Sequence, residues 1–238
     1  MSVVVGLDIG TGSVAGALFS GTAKKLRLVD FFVEDIPSMG DQAASATGEY
    51  IPPMSIEELL QKIVNDRNLQ GAEVIAAVDA KDCVIREFSV PFTKEDQIRK
   101  MIKFESESSF QTLDMENVVL DYLKVGESNG KSQLVVTAVR NDLVDSRLGL
   151  LKKVGLDPVA LDLDAAAIFN AFTLTPLHDA KKSTLLIDMG ATSTKMVLIE
   201  GGEPKKIRSF RMAQAILGPE RQLQEPALAG VASRQAAE

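Results

Sequence analysis

The chain has 238 residues, 45% of them hydrophobic and 25% charged, and its formal net charge at pH 7 is −7. This composition is typical of a soluble globular protein, and the negative charge argues against non-specific binding to nucleic acid. Cys83 is the single cysteine, which excludes an intramolecular disulfide, and we expect a buried structural thiol there.

The first segment, residues 3–21, predicts a β-hairpin. It reads VVVGLDIGTGSVAGALFSG: an apolar strand leads to Asp8, a turn of Gly, Thr and Ser follows, and a second strand ends at Gly21. Neither a basic region nor a long apolar run precedes Asp8, so we predict no signal peptide and no membrane span here.

The same turn also matches a dinucleotide-binding fingerprint. Residues 10–15 satisfy G-x-G-x-x-A after a strand, and Asp30 follows at about the usual spacing of 20 residues. That fingerprint has to open a helix, whereas Gly16 and Gly21 interrupt the chain and the next segment is again a strand. We therefore favour the hairpin interpretation.

The following stretch predicts a strand, a loop, a helix and a strand. Residues 25–36 favour a strand, and residues 37–53 form a polar loop punctuated by Gly and Pro, which we expect to be mobile. Ser55 and Glu58 make a capping box ahead of apolar residues at helical spacing. Residues 74–79 predict a buried strand because small and β-branched residues dominate them.

A separate unit is predicted between about residues 82 and 156, where the pattern becomes strand, helix, strand, strand, helix. The five segments are residues 83–90, 93–110, 118–125, 133–139 and 142–154. Gly155 is suited to end the last helix, because glycine readily adopts a positive φ.

The first pattern returns in residues 185–201 as LLIDMGATSTKMVLIEG. Four residues recur 180 positions later without a gap, namely Asp188, Gly190, Ser193 and Gly201.

Before this second copy we predict a strand at 159–162 and a helix at 164–172, and after it we predict a return strand at 207–211. We interpret four lysines as solvated turn charges, with a basic turn facing an anionic membrane surface as the alternative: Lys181, Lys182, Lys205 and Lys206. Residues 213–238 are rich in Ala, Gln, Pro and Glu and predict a flexible tail.

Both turns have the composition of phosphate-binding loops. Turns of Gly, Thr and Ser leave backbone N–H groups free for an anion, and the preceding carboxylate can hold Mg²⁺ directly or through water. Two such turns facing each other would clamp a nucleotide tail. The candidate phosphate-binding residues are Gly10, Thr11, Gly12, Ser13, Gly190, Ala191, Thr192, Ser193 and the cation Lys195, and the candidate metal ligands are Asp8 and Asp188.

This double arrangement of strand, D-x-G, hydroxyl residues and hairpin resembles the two phosphate motifs of the actin, sugar kinase and Hsp70 superfamily. GLDIGTGSV, together with FSVP, KFESESSF, VVLDYL and VVTAVRNDLV, is most similar to its PilM and FtsA branch, over residues 3–211. The resemblance implies an α/β, actin-like (ribonuclease H-like) fold. Residues 1–80 and 157–180 would form the first subdomain, 81–156 an inserted SHS2 or 1C subdomain, and 181–212 the start of a truncated second actin-like domain.

The function that the resemblance implies is a scaffold at the inner membrane of a type IV pilus or type II secretion system. It implies a cytoplasmic protein that a membrane partner brings to the inner face of that membrane, with ATP and Mg²⁺ as cofactors and self-association into a homo-oligomer as a further expectation. The partner would be the N-terminal cytoplasmic peptide of a bitopic platform protein, bound between the first subdomain and the insert. Candidates for lining this groove, which are equally suited to a core, are Phe88, Val90, Phe92 and Phe104.

Two other functions stay open. One is a small ATPase or sugar-kinase-like phosphotransferase, in which Asp162, before the connecting helix, would orient the attacking water unless it only caps that helix. The other is a nucleotide-independent protein-binding domain. The short second domain, the missing Gly-rich adenosine motif and Ala15, where relatives commonly carry Lys, argue against turnover, so we expect at most a weak ATPase.

Overall fold

The structure is a computed structural model that describes residues 3–22, 25–37, 54–107, 109–110 and 113–211. The predicted loop lies outside the described residues from position 38 to 53, as does the predicted tail at 213–238. The described elements, in chain order, are β1 Val3–Ile9, β2 Ser13–Thr22, β3 Lys25–Asp35, α1 Ile56–Asp66, β4 Glu73–Val78, β5 Cys83–Val90, α2 Glu95–Glu107, β6 Val118–Ser128, β7 Lys131–Arg140, α3 Asn141–Lys153, β8 Pro158–Leu163, α4 Asp164–Thr173, β9 Thr184–Met189, β10 Thr194–Glu200 and β11 Glu203–Phe210.

The largest sheet has five strands in the order β3-β2-β1-β4-β8. The first three strands pair antiparallel, which confirms the hairpin, and β4 and β8 run parallel to β1. One face of this sheet is buried beneath α1 and the end of α3. Its core includes Val5, Leu7, Val14, Leu60, Val74 and Leu151.

Helix α1 begins as predicted. The Ser55 hydroxyl accepts a hydrogen bond from the Glu58 amide at 3.2 Å, and the Glu58 carboxylate accepts one from the Ser55 amide at 2.7 Å. Its apolar stripe of Leu59, Leu60, Ile63 and Val64 is buried in the sheet's core.

The inserted unit contains a three-stranded sheet in the order β5-β7-β6, with α2 packed on one face. Helix α3 leaves this unit and enters the first core, where Leu151 is fully buried. It therefore links the three-stranded sheet to the core of the five-stranded sheet. Gly155 follows the helix with a φ of 78°, as predicted.

The second hairpin forms a three-stranded sheet with β11 in the order β11-β10-β9. Val197, Ile199 and Ile207 on one face of it pack in a core shared with the insert and α4. The interpretation of Lys205 as a solvated turn charge is wrong. Its ammonium group donates to the Val125 carbonyl on the insert, because β11 packs against that sheet.

Candidate functional site

The two repeated turns have the same backbone geometry. The Gly10 amide donates to the Ser13 carbonyl at 3.0 Å, and the Gly190 amide donates to the Ser193 carbonyl at 2.8 Å. Each turn lies between two antiparallel strands of a hairpin. The sequence repeat is thus a repeat of structure.

The fold brings the two turns into contact. The hydroxyl oxygens of Thr11 and Thr192 lie 2.9 Å apart, within hydrogen-bond distance. A Cβ atom placed on Gly12 would lie 2.9 Å from the Cβ of Ala191. The turns face each other, as a clamp requires, but a phosphate held by both would first have to separate them.

Beside the turns lies a cluster of charges around Lys195. Its ammonium group is 2.8 Å from the Asp164 carboxylate and 3.1 Å from the Asp188 carboxylate. Lys195 and Asp188 are opposite each other on β10 and β9. Asp164 is buried and also accepts hydrogen bonds from the amides of Ala80, at 3.0 Å, and Ala165, at 2.6 Å.

These contacts change the acidity of both buried groups. Burial disfavours the charged form of Lys195, but its bonds with Asp164 and Asp188 outweigh this effect and raise the pKa of its ammonium group above the ordinary value. Burial raises the pKa of Asp164, and the Lys195 charge only partly offsets the rise. The sequence interpretation missed Asp164, although an aspartate at the first position of a predicted helix was a usable signal.

Asp8 has a different environment from its repeat Asp188. The residue opposite Asp8 on the hairpin is Ala15, whereas the residue opposite Asp188 is Lys195. Desolvation raises the pKa of Asp8, and the more distant Lys195 charge partly offsets the rise. Asp8 therefore keeps a carboxylate that no cross-strand cation neutralises.

Asp162 is on the open face of the large sheet. It lines, together with Asp8 and Ala167, a shallow apolar depression of about 510 Å³ over that face. Its carboxylate accepts a hydrogen bond from the Leu163 amide at 2.8 Å. The alternative that Asp162 caps α4 is wrong, because Leu163 occupies the N-cap position without a side-chain bond.

These residues limit where Mg²⁺ could be held. Among the described residues, no group of three or more His, Cys, Asp or Glu side chains could hold a metal ion. Mg²⁺ commonly uses one or two carboxylates together with water and phosphate oxygens, and Asp8 fits that arrangement. Asp188 is less suited to direct ligation, because the Lys195 ammonium group lies 3.1 Å from one of its two carboxylate oxygens.

A groove of about 350 Å³ lies between the insert and the β8–α4 connection. The insert side is formed by the face of its sheet that is opposite α2, including Val119, Leu123 and Val139. Leu161, Leu163 and Phe169 line the other side.

Of the four predicted groove residues, none lines this groove. Phe88, Val90 and Phe92 pack with α2 in the insert's own core, because they lie on the other face of its sheet or directly beyond β5. Phe104 is 68% exposed on α2. These residues therefore do not line this groove, whose lining comes instead from β6, β7, β8 and α4.

Cys83 borders the groove and donates a hydrogen bond from its thiol to the Asp79 carbonyl at 3.4 Å. Burial raises the pKa of the Cys83 thiol to about 12, and the nearby Asp164, Asp82 and Asp79 carboxylates add to the rise. The thiol is half-buried and stays protonated at neutral pH.

The five-stranded sheet, joined through α4 to a second copy of its first hairpin, is an actin-like fold. The chain belongs to the family "Type IV pilus assembly protein PilM", whose model matches residues 6–209. Comparison with curated proteins finds no match. Among the described residues, no helix is both long enough and apolar enough to cross a membrane.

The solved structures that match this fold include a pilus protein and a secretion protein. A PilM–PilN type IV pilus biogenesis complex matches at a TM-score of 0.71 and 22% identity, covering 90% of this chain and 62% of that one. The cytoplasmic domain of EpsL, an inner membrane component of the type II secretion system of Vibrio cholerae, matches at a TM-score of 0.57 and 14% identity. That match covers 95% of this chain and 79% of the EpsL chain. The chain thus spans less than two thirds of the PilM chain.

Proposed function

We propose that this chain is a cytoplasmic scaffold component of type IV pilus assembly that binds an extended peptide from a membrane partner. The observation that carries the proposal is the groove between the insert and the β8–α4 connection. A groove between a domain and its insert is a preferred ligand site. The similar PilM structure, which was solved as a complex with PilN, supports a partner of that kind.

The chemistry of the groove suits a peptide with both apolar and basic residues. Its walls are mainly apolar, and its charged lining residues are the carboxylates Asp121, Asp162 and Glu203. No Lys or Arg lines it among the described residues. We expect Lys or Arg side chains of the peptide to meet these carboxylates while apolar side chains enter between them.

Strand β6 gives the peptide a backbone to pair with. It is an outer strand of the insert's sheet, and Val119, Asp121 and Leu123 alternate along its groove side. An added strand would gain affinity from main-chain hydrogen bonds and specificity from alternate side chains. The expected ligand is the N-terminal cytoplasmic peptide of a bitopic platform protein, which would hold the chain at the inner face of the membrane.

The test is a binding titration with that synthetic peptide. Leu123→Arg, at a groove residue that is 42% exposed, should weaken binding by more than about tenfold. Leu174→Arg, at an 88% exposed site outside the groove lining, is the matched control and should bind as the unaltered chain does. No binding by the unaltered chain, or equal loss in both variants, would reject the proposal.

A second role, binding of a nucleotide, is supported by the convergence of the two turns, which meet at Thr11 and Thr192. We propose that their backbone amides and hydroxyl groups receive the phosphates after the turns separate. Asp8 would hold Mg²⁺ through water. Asp162, which lines the same apolar depression over the large sheet as Asp8 does, is the candidate for orienting the attacking water. When bound, Mg²⁺ would neutralise phosphate charge.

Calorimetry with ATP tests this role. The expected result is binding that Mg²⁺ strengthens in the unaltered chain and much less in Asp8→Asn. Unchanged Mg²⁺ dependence in that variant would assign Asp8 a structural role. Peptide binding without any nucleotide binding would leave a protein-binding domain as the function.

A further inference from the structure

Strand β3 is the outer strand of the large sheet, and among the described residues no strand pairs with its far edge. It is eleven residues long, from Lys25 to Asp35. An outer strand of this length presents a row of unpaired backbone groups that can pair with another chain.

The side chains of β3 add an apolar surface to this edge. Leu26, Leu28, Phe31 and Val33 are 49%, 51%, 71% and 64% exposed. They share one face of the sheet, because their partners on β2 are Gly21, Phe19, Ala17 and Ala15, which alternate along that strand. This face continues into the apolar depression over the sheet.

The charges of β3 are divided between its two ends. Lys25 and Arg27 lie in its first part, and Asp30, Glu34 and Asp35 lie in its second part. The register with β2 shifts near Val29, between these two parts. If two β3 strands were placed antiparallel, the basic end of each strand would therefore lie opposite the acidic end of the other.

We propose that β3 pairs antiparallel with β3 of a second copy of this chain, across a two-fold axis between Val29 and Asp30. This register places Lys25 opposite the partner's Glu34, Leu26 opposite the partner's Val33, and Leu28 opposite the partner's Phe31. Each apolar residue of the exposed face then meets an apolar residue, and the two five-stranded sheets become one continuous sheet.

The apolar pairs provide the attraction, and the ion pairs select the register. Burial of exposed apolar area is favourable in proportion to that area, whereas an exposed ion pair adds little affinity. Opposite charges at both ends nonetheless disfavour parallel pairing, which would bring like charges together.

Charge reversal tests both the pairing and its direction. In full-length protein, Lys25→Glu alone and Glu34→Lys alone should each weaken the dimer by about tenfold, because two ion pairs become repulsive. An equimolar mixture of the two variants should dimerise as the unaltered chain does, since both pairs then have opposite charges again. Sedimentation velocity over a range of concentrations measures each case.

Two controls keep this result interpretable. Lys152→Glu changes an exposed charge outside β3 and should leave the dimer unchanged. Glu34 also lies 3.6 Å from Arg67 within the chain, so the Tm of each variant must show that it is folded. Phe31→Lys should abolish dimerisation without relying on the ion pairs.

Other results would show that the edge of β3 is not covered by a second copy. A protein that stays monomeric at all concentrations would overturn the proposal. If the β3 amides of that monomer are protected from hydrogen exchange, another segment of the chain covers the edge. A dimer that is insensitive to Phe31→Lys, or charge-reversed variants that do not restore one another, would likewise overturn it. None of these outcomes depends on whether the groove binds a peptide.

Discussion

The ammonium group of Lys195 lies 2.8 Å from the carboxylate of Asp164, and both side chains are buried. This pair joins β10 of the second hairpin to the beginning of α4. A buried ion pair is weak evidence for net stability, because desolvating two charges is costly. Removing one partner has a clearer effect, since it leaves the other charge buried and unpaired.

We expect Lys195→Met to lower the free energy of unfolding by about 3 kcal/mol at pH 7. Without the cation, the pKa of Asp164 should rise further above its ordinary value. The folded state would then hold a proton that the unfolded state has released, so the loss should grow as the pH rises from about 4 to 7.

Urea unfolding at several pH values measures this loss. Lys182→Met is the matched control, because Lys182 makes an exposed ion pair with Asp179. It should change the stability by less than about 0.5 kcal/mol. A similar effect of both variants would show that the buried cluster is not formed in solution.

The contact between the turns leads to a second prediction. Gly12→Ala places a Cβ 2.9 Å from the Cβ of Ala191, so the turns must move apart, and we expect a loss of about 1 to 2 kcal/mol. Gly149→Ala on α3 has no atom within 4 Å of the new Cβ and should gain about 0.5 to 1 kcal/mol from helix propensity. Thermal unfolding compares the two, and a neutral Gly12→Ala would mean that the turns do not touch.

Local signals predicted most of the secondary structure, because each hairpin and α1 carries its own signals. The turns at Asp8 and Asp188 and the capping box at Ser55 need no information from distant residues. The burial of Asp164, in contrast, depends on distant residues. Asp164 is inside because Lys195 meets it there, 31 positions along the chain.

The residues that line the groove were difficult to predict for a related reason. Both faces of the insert's sheet carry apolar residues: one face packs on α2, and the other lies partly in the core shared with β10 and β11 and partly in the groove. Strand β5 therefore contributes Ile85 to one core and Val90 to the other. Without polar alternation, a sequence does not show which face borders a groove.

The third prediction concerns the link between β11 and the insert. The Arg208 guanidinium donates two hydrogen bonds to the Glu87 carboxylate, at 2.6 Å and 2.9 Å. Because this bidentate pair is partly exposed, a double-mutant cycle with Glu87→Gln and Arg208→Gln should give a coupling energy of only about 0.5 to 1 kcal/mol.

The ion pair of Glu87 and Arg208 should also weaken in acid. The hydrogen bonds that the Glu87 carboxylate accepts from Arg208 lower the pKa of Glu87. The stabilisation is therefore complete above the ordinary Glu pKa of about 4.3 and is lost as the pH falls through the lower folded value. Chemical unfolding of the four proteins at pH 7 and at about pH 3 measures this change, and a coupling energy that is the same at both values would contradict it.

The last prediction uses Cys83 as a probe of the groove wall. Because the thiolate is the reactive form, a thiol pKa of about 12 should make alkylation of the native protein by iodoacetamide slow. At pH 8 we expect a rate about three orders of magnitude below that of the same cysteine in urea, where the pKa is about 8.5. The native rate should rise about tenfold per pH unit up to about pH 11, whereas the rate in urea should level off near pH 9. Mass spectrometry follows the single adduct, and an equal rate or an early plateau in the native protein would show that the thiol is not buried beside the Asp79 carbonyl.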